Sequence, residues 1–103
     1  MTATEKCAFL LVTAHITDRA KMMEYADAMA AAGLYARHGG VYEFIGQAAV
    51  DLENWPAGMS GVCARFPSRA AAEAFWHDAQ YQNEIKPLRA GAGTFHVAIF
   101  DGV

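Results

Sequence analysis

The chain has 103 residues, a length that fits one domain with a single core and needs no disulfide or metal staple. Hydrophobic residues make up 54% and charged residues 18%, so either the core is generous or some apolar surface is covered by another subunit. A net charge of −3 with eight scattered basic residues gives no electrostatic footprint for nucleic acid, and no apolar run reaches the roughly 18 residues of a membrane span.

The opening "MTATEKCAFLLVTAH" lacks the build of a signal peptide, which makes the cytoplasm the expected location. Within it, residues 7–15 are apolar and β-rich and read as a first strand. Thr17 and Asp18 offer N-cap oxygens for a long helix over about 18–37, with Met22, Ala26, Met29 and Gly33 on one stripe. Glu24, Asp27, Ala31 and Tyr35 lie opposite. "HGG" stops that helix, and "GVYEFIG" over 40–46 is a second strand. A connection of about a dozen residues, "QAAVDLENWPAG", leads to a third strand at 61–66; a loop of that length is often functional or interfacial. Trp55 anchors this connection on the core or a partner, or serves as a lid.

Pro67 closes the third strand and Ser68 caps a second helix reaching about residue 79, with Ala72, Phe75, Trp76 and Ala79 inward and Glu73 and His77 in water. One or two further helical turns, broken at Pro87, precede a fourth strand at 94–100. The order β-α-β-β-α-β is the ferredoxin-like arrangement, α+β, with a four-stranded sheet in the order 4-1-3-2 and helices on one face only. Strands 1 and 3 are expected to run parallel in the centre, with 4 and 2 antiparallel to them.

Strand alternation then sorts the side chains. Leu10, Val12, Val62, Ala64, Phe66, Val97 and Ile99 belong under the helices, with Tyr42 and Phe44 from the second strand. The other face carries Phe9, Leu11, Phe100, Val41 and Ile45, too apolar for water, together with Thr13, His15, Glu43, Arg65 and His96. With strands 1 and 3 parallel, Thr13, His15, Arg65 and His96 meet at one edge with Glu43 in reach. That describes a half-polar cavity closed by a second copy of the chain. His15 and His96 are the candidate proton-moving groups, and Thr13, Glu43, Arg65 and Trp55 the candidate ligand contacts. Each also has a plainer role: Arg65 with Glu43 as a cross-strand ion pair, the histidines as hydrogen-bonded lining. His38 and His77 read as solvated, Tyr25 and Tyr35 as surface or half-buried.

No metal is expected, because the four histidines show no HxH or HExxH spacing and no carboxylates paired around them. No cofactor is expected either: the glycines form neither a Walker loop nor a dinucleotide fingerprint, and Ser60 and Ser68 lack the context of a nucleophile elbow. Cys7 and Cys63 read as reduced, packed thiols.

The segments "HITDRAKMMEYADAM", "HGGVYEF", "NWPAG", "VCARFPSRAAAEAFWHDAQYQ" and "LRAGAGTFHVAIFDG" resemble the small bacterial family named domain of unknown function thirteen-thirty, over roughly 8–102. The resemblance implies a dimeric α/β barrel of two ferredoxin-like protomers packed sheet to sheet. Against the family pattern, this chain has Arg65 where an acidic residue usually precedes Phe-Pro-Ser, Val41 where an arginine often follows the glycine pair, and Pro87 where a helix tends to continue. Two functions remain open: a homodimeric binder of a small organic acid or phenol, with or without cofactor-independent chemistry, or a non-catalytic dimer whose polar sheet-face residues only stabilise the interface.

Overall fold

The computed structural model describes residues 6–103, and the first five residues lie outside the description. Its elements are β1 (Ala8–Ile16), α1 (Arg19–Ala32), the single turn α2 (Leu34–Arg37), β2 (Val41–Gln47), β3 (Met59–Phe66), α3 (Arg69–Trp76) and β4 (Gly93–Asp101). A π-helical turn (Tyr81–Ile85) running into a 3-10 turn (Lys86–Arg89) joins α3 to β4.

The sheet order is β2-β3-β1-β4, as the βαββαβ reading requires, and every neighbouring pair is antiparallel. The expected parallel pairing of strands 1 and 3 is therefore corrected. Each helical crossover makes its own two strands parallel, β1 with β2 and β3 with β4, while the β2–β3 hairpin reverses direction. Inserting β3 between β1 and β2 leaves it antiparallel to both.

Alternation predicts the faces of three strands well. Ala8, Leu10, Ala64 and Phe66 are buried beneath the helices, and Val97 and Ile99 pack against the same core. On β2 a bulge between Tyr42 and Phe44 overturns the prediction. Tyr42 keeps the helix side opposite Ala64, but Phe44 falls opposite Cys63 and Ile45 opposite Val62, so these two exchange faces.

Asp18 caps α1 as expected, its carboxylate accepting from the Lys21 amide at 3.1 Å. The helix is shorter than predicted. Gly33 does not continue the stripe; it ends α1 in the left-handed region at φ 61°, with its N–H returning to the Met29 and Ala30 carbonyls. Chain direction changes there, so Leu34 and Tyr35 swing into the core: Leu34 is buried, and Tyr35 stacks on Phe75 at 4.5 Å. Ser68 caps α3 by accepting from the Ala71 amide at 3.1 Å. That helix stops at Trp76, which leaves Ala79 exposed rather than buried.

Phe66, Phe75 and Tyr81 are the largest fully buried side chains along with Leu34. Near the C-terminus, Gly102 is buried against β1: its amide donates to the Cys7 carbonyl at 2.8 Å, and an added Cβ would lie 2.6 Å from the Cys7 sulfur. The result is a two-layer slab, 49 × 36 × 17 Å, with helices on one side and a bare sheet on the other. Among the described residues, no helix is long and apolar enough to cross a membrane.

Candidate functional site

The helix-free face is built by alternate residues of all four strands. Phe9, Leu11, Thr13 and His15 come from β1; His96, Ala98 and Phe100 from β4; Gly61, Cys63 and Arg65 from β3; Val41 and Phe44 from β2. Its large apolar side chains are strongly exposed: Phe44 at 54%, Phe100 at 53% and Val41 at 53%. A shallow concavity of about 210 Å³ lies on this face, lined by Leu11, Thr13, His96, Val97, Ala98 and Phe100. Thr13 and His96 are direct cross-strand partners on its floor.

The single predicted cluster separates into two. Thr13 faces His96, and His15, opposite Thr94 and Met59, is their exposed diagonal neighbour. Trp55 belongs to this end, its indole N–H donating to the Met59 carbonyl at 3.3 Å. Arg65, however, stands opposite Phe9. It is four residues along β3 from Gly61, the partner of Thr13, which at the rise of a strand is about 13 Å away. The antiparallel sense of β1 and β3 is the cause of this separation. Placing Arg65 among His15, His96 and Thr13 is thus a prediction the structure corrects.

Glu43 does reach Arg65, with Oε1 3.1 Å from a guanidinium nitrogen. The bulge makes this possible, because Val41 is the registered partner of Arg65 and Glu43 has none. Both side chains are substantially exposed, at 51% and 38%, and an ion pair in that setting is worth about 0–1 kcal/mol. Arg65→Leu is therefore expected to change the unfolding free energy by less than about 1 kcal/mol in urea titrations. A several-fold larger loss would mean that both groups are covered in solution.

Other polar residues have structural partners. His38, expected in solvent, instead meets Asp78 at 2.9 Å, with Arg37 3.7 Å from the same carboxylate. The bond to His38 and the Tyr81 and Gln80 amides hold the Asp78 carboxyl below its ordinary range. Arg69 grips Asp101 through two nitrogens, at 2.9 and 2.5 Å. Burial, and then the mutual contact with Tyr81, raises the Tyr25 phenol well above its usual value; the two hydroxyls lie 2.9 Å apart. Cys7 and Cys63 are free thiols, and burial followed by the nearby Glu43 charge pushes the Cys63 thiol up. Among the described residues, no group of three or more His, Cys, Asp or Glu side chains could hold a metal.

Sequence reasoning missed Arg89, a buried cation between Tyr25 and Phe95. Its signal is faint: an arginine inside "PLRAGAG", where no acidic residue follows until Asp101.

The profile of the family described as "Domain of unknown function (DUF1330)" matches residues 7–103. No match is found among curated protein sequences. Among solved structures, a candidate antibiotic biosynthesis monooxygenase from Caulobacter crescentus superposes with a TM-score of 0.67 at 16% identity, covering 97% of this chain and 92% of its own. SnoaB, a cofactor-independent oxygenase from Streptomyces nogalater, gives 0.62 at 15% identity over 96% and 94%. A protein of unknown function from Rhodopseudomonas palustris gives 0.67 at 16% over 96% and 84%. At such identities the likeness establishes a common fold and nothing finer.

Proposed function

The chain belongs to the DUF1330 family, and from that membership and its bare apolar sheet face we propose that two copies pack sheet to sheet and enclose a site for a small organic acid or phenol. The carrying observation is the concavity on that face, where Thr13 and His96 sit among Leu11, Ala98 and the exposed Phe100 ring. Left in water, those rings are an unfavourable surface; against a twin sheet they become walls, and the concavity becomes an interior. A ligand phenol or carboxylic acid would meet one hydroxyl and one imidazole in otherwise apolar surroundings.

Imidazole takes or gives a proton at physiological pH, so His96 is the group to move a proton on such a ligand, with Thr13 orienting it. Deprotonating a phenol there leaves an electron-rich phenolate, the chemistry expected of an enzyme working without metal or flavin. The fold shared with a cofactor-independent oxygenase supports this reading by analogy. His15 stands at the rim beside the loop bearing Trp55, as a second proton carrier toward solvent. Arg65 and Glu43 hold the opposite end of the face.

The second reading, a non-catalytic dimer, is favoured by the ion pair itself, since Glu43 already neutralises Arg65 at 3.1 Å. A thermal-shift screen of small phenols separates the two. A ligand at 100 times its Kd stabilises by about 2.7 kcal/mol, which is roughly 10 °C or more for a domain of this size. That shift is expected in the wild type and lost in His96→Ala. A screen with no hits, or hits indifferent to His96, would favour the non-catalytic dimer.

A further inference from the structure

Among the described residues, Arg89 is the one buried charged side chain, 8% exposed, and its Nε is the one buried side-chain polar atom without a hydrogen-bond partner. The ion pairs formed by described residues involve Arg37, His38, Arg65 and Arg69, and none includes Arg89. A guanidinium taken out of water without a carboxylate costs several kcal/mol. Its aromatic neighbours, Phe95 at 4.2 Å and Tyr25 at 5.7 Å from the ring centres, offset only part of that, about 0.5–2 kcal/mol each.

The same guanidinium lines a cavity of about 350 Å³ between the start of β4 and the turns before it, together with Gln82, Lys86, Pro87, Gly93 and Phe95. Among the described residues, two cations and an amide line this space, and no carboxylate does. Lys86 is held 5.1 Å over the Trp76 ring and 3.4 Å from the Gln82 side-chain oxygen, while the Gln82 amide nitrogen donates to the Trp76 carbonyl at 2.6 Å. The backbone behind it is fixed. The Ala92 carbonyl accepts from the Thr17 and Asp18 amides at 2.8 and 3.0 Å, and the π-helical turn directs the chain from buried Tyr81 and Ile85 to Arg89. Such π turns recur at functional sites.

We propose that this cavity is an anion site in which Arg89, assisted by Lys86, binds the carboxylate of a small organic acid whose apolar body lies against Phe95 and Pro87. Through its two terminal nitrogens, a planar guanidinium matches the paired oxygens of a carboxylate. The mixture of cations with an aromatic ring and a proline selects an organic acid over inorganic phosphate. This site is separate from the sheet-face site, since Phe95 and His96 are consecutive on β4 and point to opposite sides of the sheet.

Titration calorimetry with benzoate and acetate as carboxylate probes, benzamide as a neutral isostere of benzoate, and inorganic phosphate tests the proposal. Saturable binding of benzoate is expected, with benzamide and phosphate at least 10-fold weaker. Arg89→Met should weaken benzoate at least 10-fold without lowering Tm, because it removes a buried charge that no described carboxylate pairs. In the wild type, the Arg89 Nε resonance of ¹⁵N-arginine-labelled protein should shift saturably with benzoate, a readout independent of whether the variant folds. The proposal is overturned if neither carboxylate binds saturably, if benzamide or phosphate binds as well as benzoate, if Arg89→Met leaves the affinity intact, or if the Nε resonance is unmoved.

Discussion

On the proposed sheet-to-sheet pairing, Phe100→Asp is expected to turn a dimer into a monomer while leaving each protomer folded. Phe100 stands beside Phe9 in the β1–β4 register, 53% exposed at the lip of the concavity, so in a sheet-to-sheet pair it meets the partner directly. Losing the burial of one phenylalanine removes about 1.5–3 kcal/mol, and desolvating an unpaired carboxylate adds several more. Twofold symmetry counts each term twice. The sum exceeds roughly 6 kcal/mol, a weakening of Kd by about 10⁴ or more. Sedimentation equilibrium over a range of concentrations reads this against the 11.1 kDa protomer. Leu52→Asp, on the connection between β2 and β3 where Leu52 is 91% exposed, serves as the control that should not dissociate the dimer. A wild type that sediments as a monomer, or a Phe100→Asp protein that still self-associates, would remove the basis for an enclosed site.

Phe75→Ala is expected to be the most damaging single change on the other side of the sheet. The ring is 1% exposed and lies between Tyr35 at 4.5 Å, Tyr81 at 5.0 Å and Phe66 at 5.5 Å. Truncating a buried phenylalanine costs about 3–5 kcal/mol, part from lost transfer and part from the hole left behind. Its neighbours are rings held by their own contacts: Tyr35 also packs on Tyr42, and Tyr81 bonds Tyr25, so they collapse into the hole poorly. Against the ordinary 5–15 kcal/mol of a folded domain, the protein should be near its threshold. Tm should fall by roughly 15–30 °C. Urea denaturation followed by circular dichroism measures it, and a loss below about 1 kcal/mol would show that the aromatic cluster is not what holds the helices to the sheet.

What could be read from the chain, and what could not, follows physical lines. The inward set on β1, β3 and β4 was legible because one face is continuously apolar, and a register slip would put all of it in water. The caps at Asp18 and Ser68 were legible because the chemistry is local. The bulge at Glu43 left no mark in composition, since it depends on how β2 meets β3, and it exchanged the faces of Phe44 and Ile45. The break at Gly33 competed with a stripe that suited a longer helix, and only the burial of Leu34 and Tyr35 decides it. Arg65 was correctly placed on the bare face, but its company depended on strand sense, a property of the topology as a whole. His38 with Asp78, 40 residues apart, and Arg89 between Tyr25 and Phe95 are tertiary encounters with no periodic signature.

A slab 17 Å through has only two layers, and its two sides answer to different variables. Damage beneath the helices is intramolecular, so the folding free energy it removes from each chain is the same in dilute and concentrated samples. Damage on the uncovered side, if a twin sits there, enters through mass action, and dilution makes it worse. Substitutions of similar severity on neighbouring residues of one strand, such as Ile99 and Phe100, should thus differ in kind: one sets how well the chain folds, the other at what abundance it works.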